Sequence, residues 1–291
     1  MRLRVGCELN YEVPHEAPLI IKVKLRDSRY HTTVKERVEL EPHVDMHEFR
    51  DEFGNYTWRL MAPQGAFRLR YDALADVPDE PDPVLPSLQK QLVQELPDDL
   101  LRYTLPSRYC QSDLFNNDAW EMFGDVSPGW EQVQAVCDWL HENISYESGS
   151  TSATSAYDAY GEQRGVCRDF AHLGVSFCRA LNIPARYVCG YMPDVGIKDP
   201  PNIPMDFHAW FEAYLEGEWR TFDARHNVPR IGRTLIAQGR DAVDAAFSTS
   251  FGATRLQRLQ VWADEVDKEM TLDDPLKPQP PFGEPDEGVV R

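Results

Sequence analysis

The segment Gly165-Val-Cys-Arg-Asp-Phe-Ala-His172 decides the fold, because it opens a run with a clear helical period. Asn182 and Pro184 follow this run and are residues that typically end a helix. Cys167 therefore lies in the first turn of a predicted helix, two residues after a glycine. The apolar side chains that give this helix one buried face recur at steps of three and four: Phe170, Leu173, Phe177 and Leu181.

Cys167 at the start of a helix is placed for nucleophilic chemistry. The free N–H groups and the positive end of the helix dipole stabilise a thiolate, so they are expected to lower the pKa of the thiol. The same N–H groups can stabilise the oxyanion that forms when a carbonyl is attacked. A free cysteine is also a common core residue, so this position alone does not distinguish a reactive thiol from a packed one. A nearby base is needed to decide.

A predicted β-hairpin supplies the base and an acid. Residues 207–214 alternate between apolar and polar, as do residues 218–222, and a tight turn joins the two runs. We expect Asp223 to lie directly opposite His208 or one residue away, where cross-strand Cβ atoms are roughly 5 Å apart. Asp223 can then orient the His208 ring, and His208 can take the proton of Cys167. The sequence therefore predicts a catalytic site of Cys167, His208 and Asp223.

Other reactive side chains near this segment fit the site less well. His172 is five residues beyond the cysteine and so faces another side of the helix. Asp206 shares a strand face with the histidine, and side chains two apart on one strand run parallel and meet poorly. His226 lies just past the second strand, where it either supports the site or lies at the surface. Asp169 is expected to support the helix N-terminus electrostatically, and Cys189 is expected to be structural.

The first part of the chain has the pattern of β-structure. About six short runs alternate between apolar and polar residues and are separated by turn signals, which predicts an antiparallel β-sandwich or small barrel. Further along, Ser127 and Pro128 predict the start of a helix, with a capping hydroxyl followed by proline. The alternating runs lie in residues 3–13, 19–25, 33–40 and 45–71.

Composition shifts divide the chain into four predicted regions. Residues 1–80 form a β-rich N-terminal domain, and the proline-rich, acidic residues 81–98 form a linker. Residues 99–272 form the catalytic domain. Residues 273–291, rich in proline and acidic residues, are expected to form a mobile tail or a strap on the surface.

Charge and cysteine usage exclude several classes of protein. The 291 residues carry a net charge of −18, from 48 acidic and 30 basic residues, which argues against binding to nucleic acid or to an anionic membrane. No signal peptide or membrane-spanning run is recognised. The six cysteines include no CxxC pair, so neither a disulfide framework nor a zinc site is expected. We expect a cytoplasmic protein that needs no metal and no cofactor.

At these residues the chain resembles the bacterial transglutaminase-like superfamily, whose members are often described as cysteine proteases. The resemblance implies an α+β fold, in which an N-terminal β-rich region precedes a papain-like core with the cysteine helix packed on an antiparallel sheet. It implies that Cys167 is the nucleophile, His208 the base and acid, and Asp223 the orienting acid. The segments that carry the resemblance are residues 154–157, 165–173, 180–187, 190–191, 208–214 and 219–223.

Two details of the resemblance leave the substrate site open. Many members have Asp-Pro-Thr after the second strand, whereas this chain has Asp223-Ala-Arg225, so the rim of the site is expected to differ. The backbone N–H of Cys167 is one donor to the oxyanion, and Gln163 is a candidate for the second.

The predicted function is acyl transfer through a thioester at Cys167, formed from a peptide or protein amide. Water as acceptor gives a protease or amidase, and an amine as acceptor gives a transglutaminase. Both outcomes need the same three residues, and we expect hydrolysis. The alternative from another class is a non-catalytic scaffold that keeps this fold to bind proteins. The sequence leaves the oligomeric state open.

Overall fold

The computed structural model describes residues 1–198 and 203–277. Within them the chain forms an antiparallel β-sandwich, then a mixed region of helices and one further antiparallel sheet, and then two strands that return to the sandwich. This is the α+β fold class that the sequence predicts. The strands of the first region are β1 (Arg2–Val13), β2 (Ala17–Ile21), β3 (Thr32–Glu41), β4 (Met46–Arg50), β5 (Tyr56–Ala62) and β6 (Gly65–Asp76).

The second region begins with three short 3₁₀ turns at Val93–Glu95, Asp98–Tyr103 and Ser112–Phe115. Its helices are α1 (Asn116–Phe123), α2 (Trp130–Asn143), α3 (Ala156–Glu162) and α4 (Cys167–Ala180). Its strands are β7 (Ser145–Tyr146), β8 (Arg164–Gly165), β9 (Ala185–Tyr191), β10 (His208–Leu215), β11 (Glu218–Phe222) and β12 (Thr234–Gly239). The chain then forms β13 (Ser248–Ser250) and β14 (Arg255–Val266). None of these helices, in the part of the chain that the structure describes, has the length and apolar character needed to cross a bilayer.

Two four-stranded sheets make the sandwich, in the orders β14-β1-β6-β3 and β13-β2-β5-β4. Because the strands alternate between apolar and polar residues, their apolar side chains point into a core shared by the two sheets. In this core the ring of Trp58 in β5 packs edge to face on the ring of Tyr71 in β6, with centroids 5.8 Å apart. In β1 every second residue is buried, and these residues are Leu3, Val5, Cys7, Leu9, Tyr11 and Val13.

Strands β13 and β14 belong to the sandwich although they come from the other end of the chain. Strand β14 runs antiparallel to β1, from Arg2 opposite Val266 to Glu12 opposite Arg255, and β13 pairs with β2. The predicted catalytic domain, residues 99–272, includes both strands, but their pairing joins them to the N-terminal sheets. Residues 248–266 carry no regular alternation that would predict strands, and register and pairing depend on the distant surface they meet. The remaining domain boundaries stay a prediction.

The third sheet, in the order β11-β10-β9-β12, carries the second region. Helix α4 packs so closely on β10 that a Cβ atom at Gly174 would lie 2.3 Å from the ring of Phe211. A glycine is therefore required where the helix crosses the strand. The end of the sheet near Cys189 and Ala209 contributes to the core of the sandwich, so the two regions share buried side chains.

Helix α2 begins two residues later than the sequence suggests. Ser127 and Pro128 precede it without capping it, and the first helical residue is Trp130. Gly129 has a φ of 128°, and Trp130 donates its N–H to the carbonyl of Leu88 at 2.9 Å. The carbonyl of Leu88 in the linker thus accepts a backbone N–H at the helix start, where a serine hydroxyl is a common acceptor.

The predicted C-terminal tail is only partly described. Asp273 forms an ion pair with Arg37 of β3, and Arg4 of β1 donates to the carbonyl of Asp274 at 2.7 Å. Residues 273–277 therefore lie along the first sheet, as a surface strap does. The rest of the predicted tail, residues 278–291, lies outside the described residues.

Candidate active site

Helix α4 begins at Cys167, in the first turn where the sequence predicts it. Val166 is the N-cap residue, and its N–H donates to the carboxylate of Asp169 at 2.9 Å. That carboxylate is fully buried and also accepts the hydroxyl of Ser150. A Cβ atom at Gly165 would lie 2.6 Å from the Asp169 Cβ. The predicted role of Asp169 at the helix start is thus direct hydrogen bonding, and the glycine leaves room for it.

His208 and Asp223 are in contact. The Nε2 atom of His208 lies 2.8 Å from Oδ2 of Asp223, and both residues are buried. Because a carboxylate accepts hydrogen bonds, Nε2 carries a proton and Nδ1 of the neutral ring is the nitrogen left to act as a base.

The route to this contact differs from the predicted one. The turn of the hairpin has two residues, Glu216 and Gly217, which have φ angles of 47° and 86°. Phe211 pairs with Phe222, so one further step places Asp223 beside position 210. The prediction that Asp223 lies opposite His208 or one residue away is therefore wrong, because the register differs. The two side chains meet along the diagonal of the hairpin, a distance that a long ring and a carboxylate can bridge.

The Cys167 thiol lies against the backbone on either side of His208. Its Sγ atom is 4.0 Å from the carbonyl oxygen of Phe207, and the N–H of Ala209 donates towards it. Cys167 is partly exposed, whereas the other five cysteines are buried. Among the six cysteines it is the one whose residue keeps some exposed surface.

The protonation states at the site differ from the thiolate expected at a helix start. Burial raises the pKa of the Cys167 thiol to about 12, against the opposing effect of the Ala209 N–H. Burial also lowers the pKa of His208, and this outweighs the attraction of Asp223. Desolvation thus exceeds the helix dipole. Near pH 7 these pKa directions leave the thiol of Cys167 and the imidazole of His208 neutral.

Arg233 is a member of this cluster that sequence reasoning missed. One of its Nη atoms lies 2.9 Å from Oδ2 of Asp223, and its Nε atom lies 2.8 Å from Oδ2 of Asp82. Burial by itself would raise the pKa of Asp223, but His208 and Arg233 hold it well below its usual range. Arg233 precedes β12 and follows no period or motif, so no local signal marks it.

His226 adjoins the same cluster, at a ring-to-ring distance of 4.9 Å from His208. The donor atoms of these two histidines and Asp223 all lie within 4.8 Å of one another, a spacing that can hold a metal ion. However, the guanidinium groups of Arg225 and Arg230 approach His226 to 2.6 Å and 3.2 Å, and Arg233 holds the carboxylate. This positive charge opposes a cation, so we assign the cluster to hydrogen bonding.

The remaining candidates from the sequence lie apart from the ring or play other roles. His172 is buried and its Nε2 accepts the N–H of Ala242 at 3.1 Å. Asp206 is exposed and its Oδ1 accepts the N–H of Phe207, so it does not orient His208. Gln163 is exposed in a left-handed conformation, with a φ of 52°, and no described contact places its amide near the thiol.

At the rim of the site this chain has Asp223-Ala-Arg225 instead of the Asp-Pro-Thr of many similar sequences. The guanidinium of Arg225 lies over the ring of Tyr146, 4.0 Å from its centroid. Strand β7 holds Tyr146 beside Gly165 through parallel pairing with β8. The ring is half exposed, and burial followed by the nearby thiol of Cys167 raises the pKa of its hydroxyl. A tyrosine and an arginine therefore lie at the rim of the site near Cys167.

Comparisons with known proteins agree with this architecture. The family model described as the transglutaminase-like superfamily matches residues 119–224, a range that contains Cys167, His208 and Asp223. The crystal structure of a putative cysteine protease from Cytophaga hutchinsonii is similar with a TM-score of 0.83 and 37% identity, covering 93% of this chain and 92% of that one.

Mycobacterial proteins are similar over shorter or more divergent stretches. An uncharacterized protein of Mycobacterium leprae is 34% identical over 117 residues, which are 39% of this chain and 42% of that protein. One from Mycobacterium tuberculosis is 26% identical over 243 residues, 75% of this chain and 76% of that protein. The family model covers the candidate site, and the Cytophaga structure is similar along nearly its whole length. The chain therefore belongs to the transglutaminase-like superfamily.

Proposed function

We propose that this protein is a cysteine enzyme that attacks amide or peptide carbonyls and hydrolyses them through a thioester at Cys167. The observation that carries the proposal is the 2.8 Å hydrogen bond between His208 and Asp223. It forms close to Cys167, the one cysteine of six that is partly exposed, whose Sγ lies 4.0 Å from the carbonyl oxygen of Phe207. A nucleophile, a base and a residue that orients the base are the three parts that such a reaction needs.

The reaction follows from the positions of these groups. Nδ1 of His208 takes the thiol proton as Sγ attacks the carbonyl, and the backbone N–H at the start of α4 stabilises the oxyanion. The imidazolium, held by Asp223, returns that proton to the departing amine and leaves a thioester. His208 then deprotonates a water molecule, which attacks the thioester, releases a carboxylic acid and restores the thiol of Cys167.

Two further observations support hydrolysis of peptides. The similar structure from Cytophaga hutchinsonii, 37% identical over nearly its whole length, is described as a putative cysteine protease. The six cysteines are free, which supports a reducing compartment, and we propose the cytoplasm. The substrate is a peptide or a protein amide, and neither nucleic acid nor a membrane takes part.

Transfer to an amine is the second candidate, because a carboxylate stands at the site. Asp206 is exposed, precedes the residue whose carbonyl contacts Sγ, and lies close enough to raise the pKa of the Cys167 thiol. In the described part of the chain it forms no ion pair. A lysine-like ammonium group is the partner that an unpaired carboxylate attracts.

The experiment that separates these functions uses a library of glutamine-containing peptides, with and without a primary amine, read by mass spectrometry. Cleavage or deamidation supports hydrolysis, and incorporation of the amine supports transfer. Cys167→Ser removes the nucleophile, and Cys189→Ser, which changes a buried thiol, is the matched control. Loss of turnover in the first variant alone is expected. Turnover that survives in Cys167→Ser contradicts the proposal, and the absence of any reaction favours the scaffold alternative.

A further inference from the structure

Arg233 is buried between two carboxylates, one in the active site and one in the linker. Its side chain is 5% exposed, and the side chain of Asp223 is 3% exposed. The guanidinium also lies over the ring of Trp210, 5.0 Å from its centroid, and this ring stacks against His208. Taking a guanidinium out of water costs several kcal/mol unless it is paired. Two carboxylates and an aromatic face offset that cost here.

Arg233 and His208 share one acceptor atom. Both donate to Oδ2 of Asp223, at 2.9 Å and 2.8 Å. The other oxygen, Oδ1, accepts the backbone N–H of His226 at a longer 3.3 Å. Two strong donors on one oxygen fix the position of the carboxylate. They also divide its negative charge, so less of that charge stabilises a positive imidazole.

Asp82 anchors the arginine from the other side. Its Oδ2 accepts both the Nε of Arg233 at 2.8 Å and the backbone N–H of Arg230 at 3.0 Å. Its own N–H donates to the Arg230 carbonyl at 2.9 Å. The proline-rich segment before the catalytic region is thereby fastened to the active site, since a chain of direct hydrogen bonds runs from Asp82 to His208.

We propose that Arg233, anchored by Asp82, is a positioning residue that holds Asp223 in place and limits how much positive charge the His208 ring takes up. This inference rests on the proposed function, because it concerns the base of the same reaction. Arg233 adds to the effect of burial, which is the main reason that the pKa of His208 is lowered. The ring gains its charge only when the thiol proton moves to it during attack.

The charged groups around His208 determine the sign of the effect. Asp223 favours the charged ring, and Arg233 and Arg225 oppose it. His226 lies 4.9 Å away from ring to ring, and Sγ of Cys167 in α4 lies 4.0 Å from the carbonyl oxygen of Phe207, the residue before His208. Removing Arg233 deletes a positive charge next to the shared carboxylate, so the pKa of His208 rises. Removing the charge of Asp82 leaves Arg233 less neutralised, so the pKa of His208 falls.

The test measures the pKa of His208 directly, by NMR titration of its imidazole C–H signals, which needs no substrate. Arg233→Met is expected to raise this pKa by on the order of one unit, and Asp82→Asn is expected to lower it. Arg233→Lys, which keeps the charge, is expected to stay near the wild-type value. Arg4→Met removes an equally buried ion pair with Asp72, outside the site, and is expected to leave the titration unchanged.

Opposite shifts in the two variants distinguish an electrostatic role from a purely structural one. The same direction in both, or no change in Arg233→Met, overturns the inference. If Arg233→Met does not fold, Asp82→Asn and Arg233→Lys decide it, because a purely structural arginine would not move the pKa downward in Asp82→Asn. Failure of the proposed function is a separate result, namely an unreactive Cys167 in the wild-type protein.

Discussion

His208 and Asp223 form a 2.8 Å hydrogen bond although they do not face each other across their hairpin. The strand register places Asp223 beside position 210, so the contact runs diagonally from one strand to the end of the next. Arg233 approaches the same carboxylate oxygen from outside the hairpin. The orientation of the His208 ring therefore depends on Asp223 at the end of the hairpin and on Arg233 outside it.

Asp223→Asn is expected to keep the fold while lowering kcat by roughly a thousandfold, because an amide no longer selects the ring tautomer that has its lone pair on the thiol side. It also leaves Arg233 facing a neutral partner, which we expect to destabilise the protein by about 3 kcal/mol. Turnover and thermal unfolding check the two effects. Asp206→Asn, which changes an exposed carboxylate, is the control and should keep the tautomer. A full rate in Asp223→Asn would mean that another group orients His208.

Cys167 is expected to react with iodoacetamide on the order of tenfold or more faster than the other five thiols, because it alone is partly exposed and stands beside a base. Peptide mapping after a brief exposure at neutral pH measures this, and a sample unfolded in guanidinium shows all six reacting. His208→Gln should slow labelling at Cys167 and leave the rest unchanged. Equal labelling of all six thiols in the folded protein would contradict the assignment.

Acid sensitivity of the fold is expected to come partly from His172. Burial lowers the pKa of this ring to about 3 from the ordinary 6.5. Between these two pH values His172 binds a proton in the unfolded chain and stays neutral in the folded chain. The contribution of His172 to the free energy of unfolding is therefore fully present above pH 6.5. It falls as the pH drops from 6.5 towards 3, by up to about 1.4 kcal/mol per pH unit.

His172→Gln tests this, because its amide oxygen can accept the N–H of Ala242 without taking up a proton. Urea unfolding between pH 6.5 and pH 4.5 should show a shallower pH dependence, by about one proton. His15→Gln changes an exposed ring and should keep the wild-type slope. An unchanged slope in His172→Gln would show that the ring is protonated in the folded protein or reached by water.

The sequence predicts the parts of the site that depend on local patterns. The helical period after Cys167 and the alternation around His208 are local, and both elements lie where they were expected. The predicted register of the hairpin is wrong because residues 215–217 are compatible with turns of two or three residues. A change of one residue in the length of the turn changes which residue lies opposite Asp223. Arg233 and Asp82 are 151 residues apart, and their contact leaves no periodic trace in the sequence.

The strand that closes the sandwich illustrates the same limit. Residues 255–266 carry no regular alternation, and their pairing with β1 is determined only by the folded sandwich. The protonation of Cys167 could not be predicted for a related reason. A helix start argues for a thiolate, and only the surrounding packing shows that desolvation outweighs the dipole.

Gly165→Ala is expected to damage the active site through sterics alone. The new Cβ would lie 2.6 Å from Cβ of Asp169, so this buried carboxylate must shift and release the N–H of Val166 at the start of α4. Because Cys167 is the next residue, we expect a loss of stability of about 2 kcal/mol together with a fall in kcat that exceeds any change in KM. Gly161→Ala is the matched control, since its Cβ would meet nothing within 4 Å in helix α3, and it should be neutral or stabilise the protein by up to about 1 kcal/mol. Thermal unfolding measures the loss of stability, and the rate of Cys167 alkylation reports the damage to the site without a known substrate. If Gly165→Ala alkylates and unfolds like the wild type, the bonds from Asp169 do not hold the nucleophile in place.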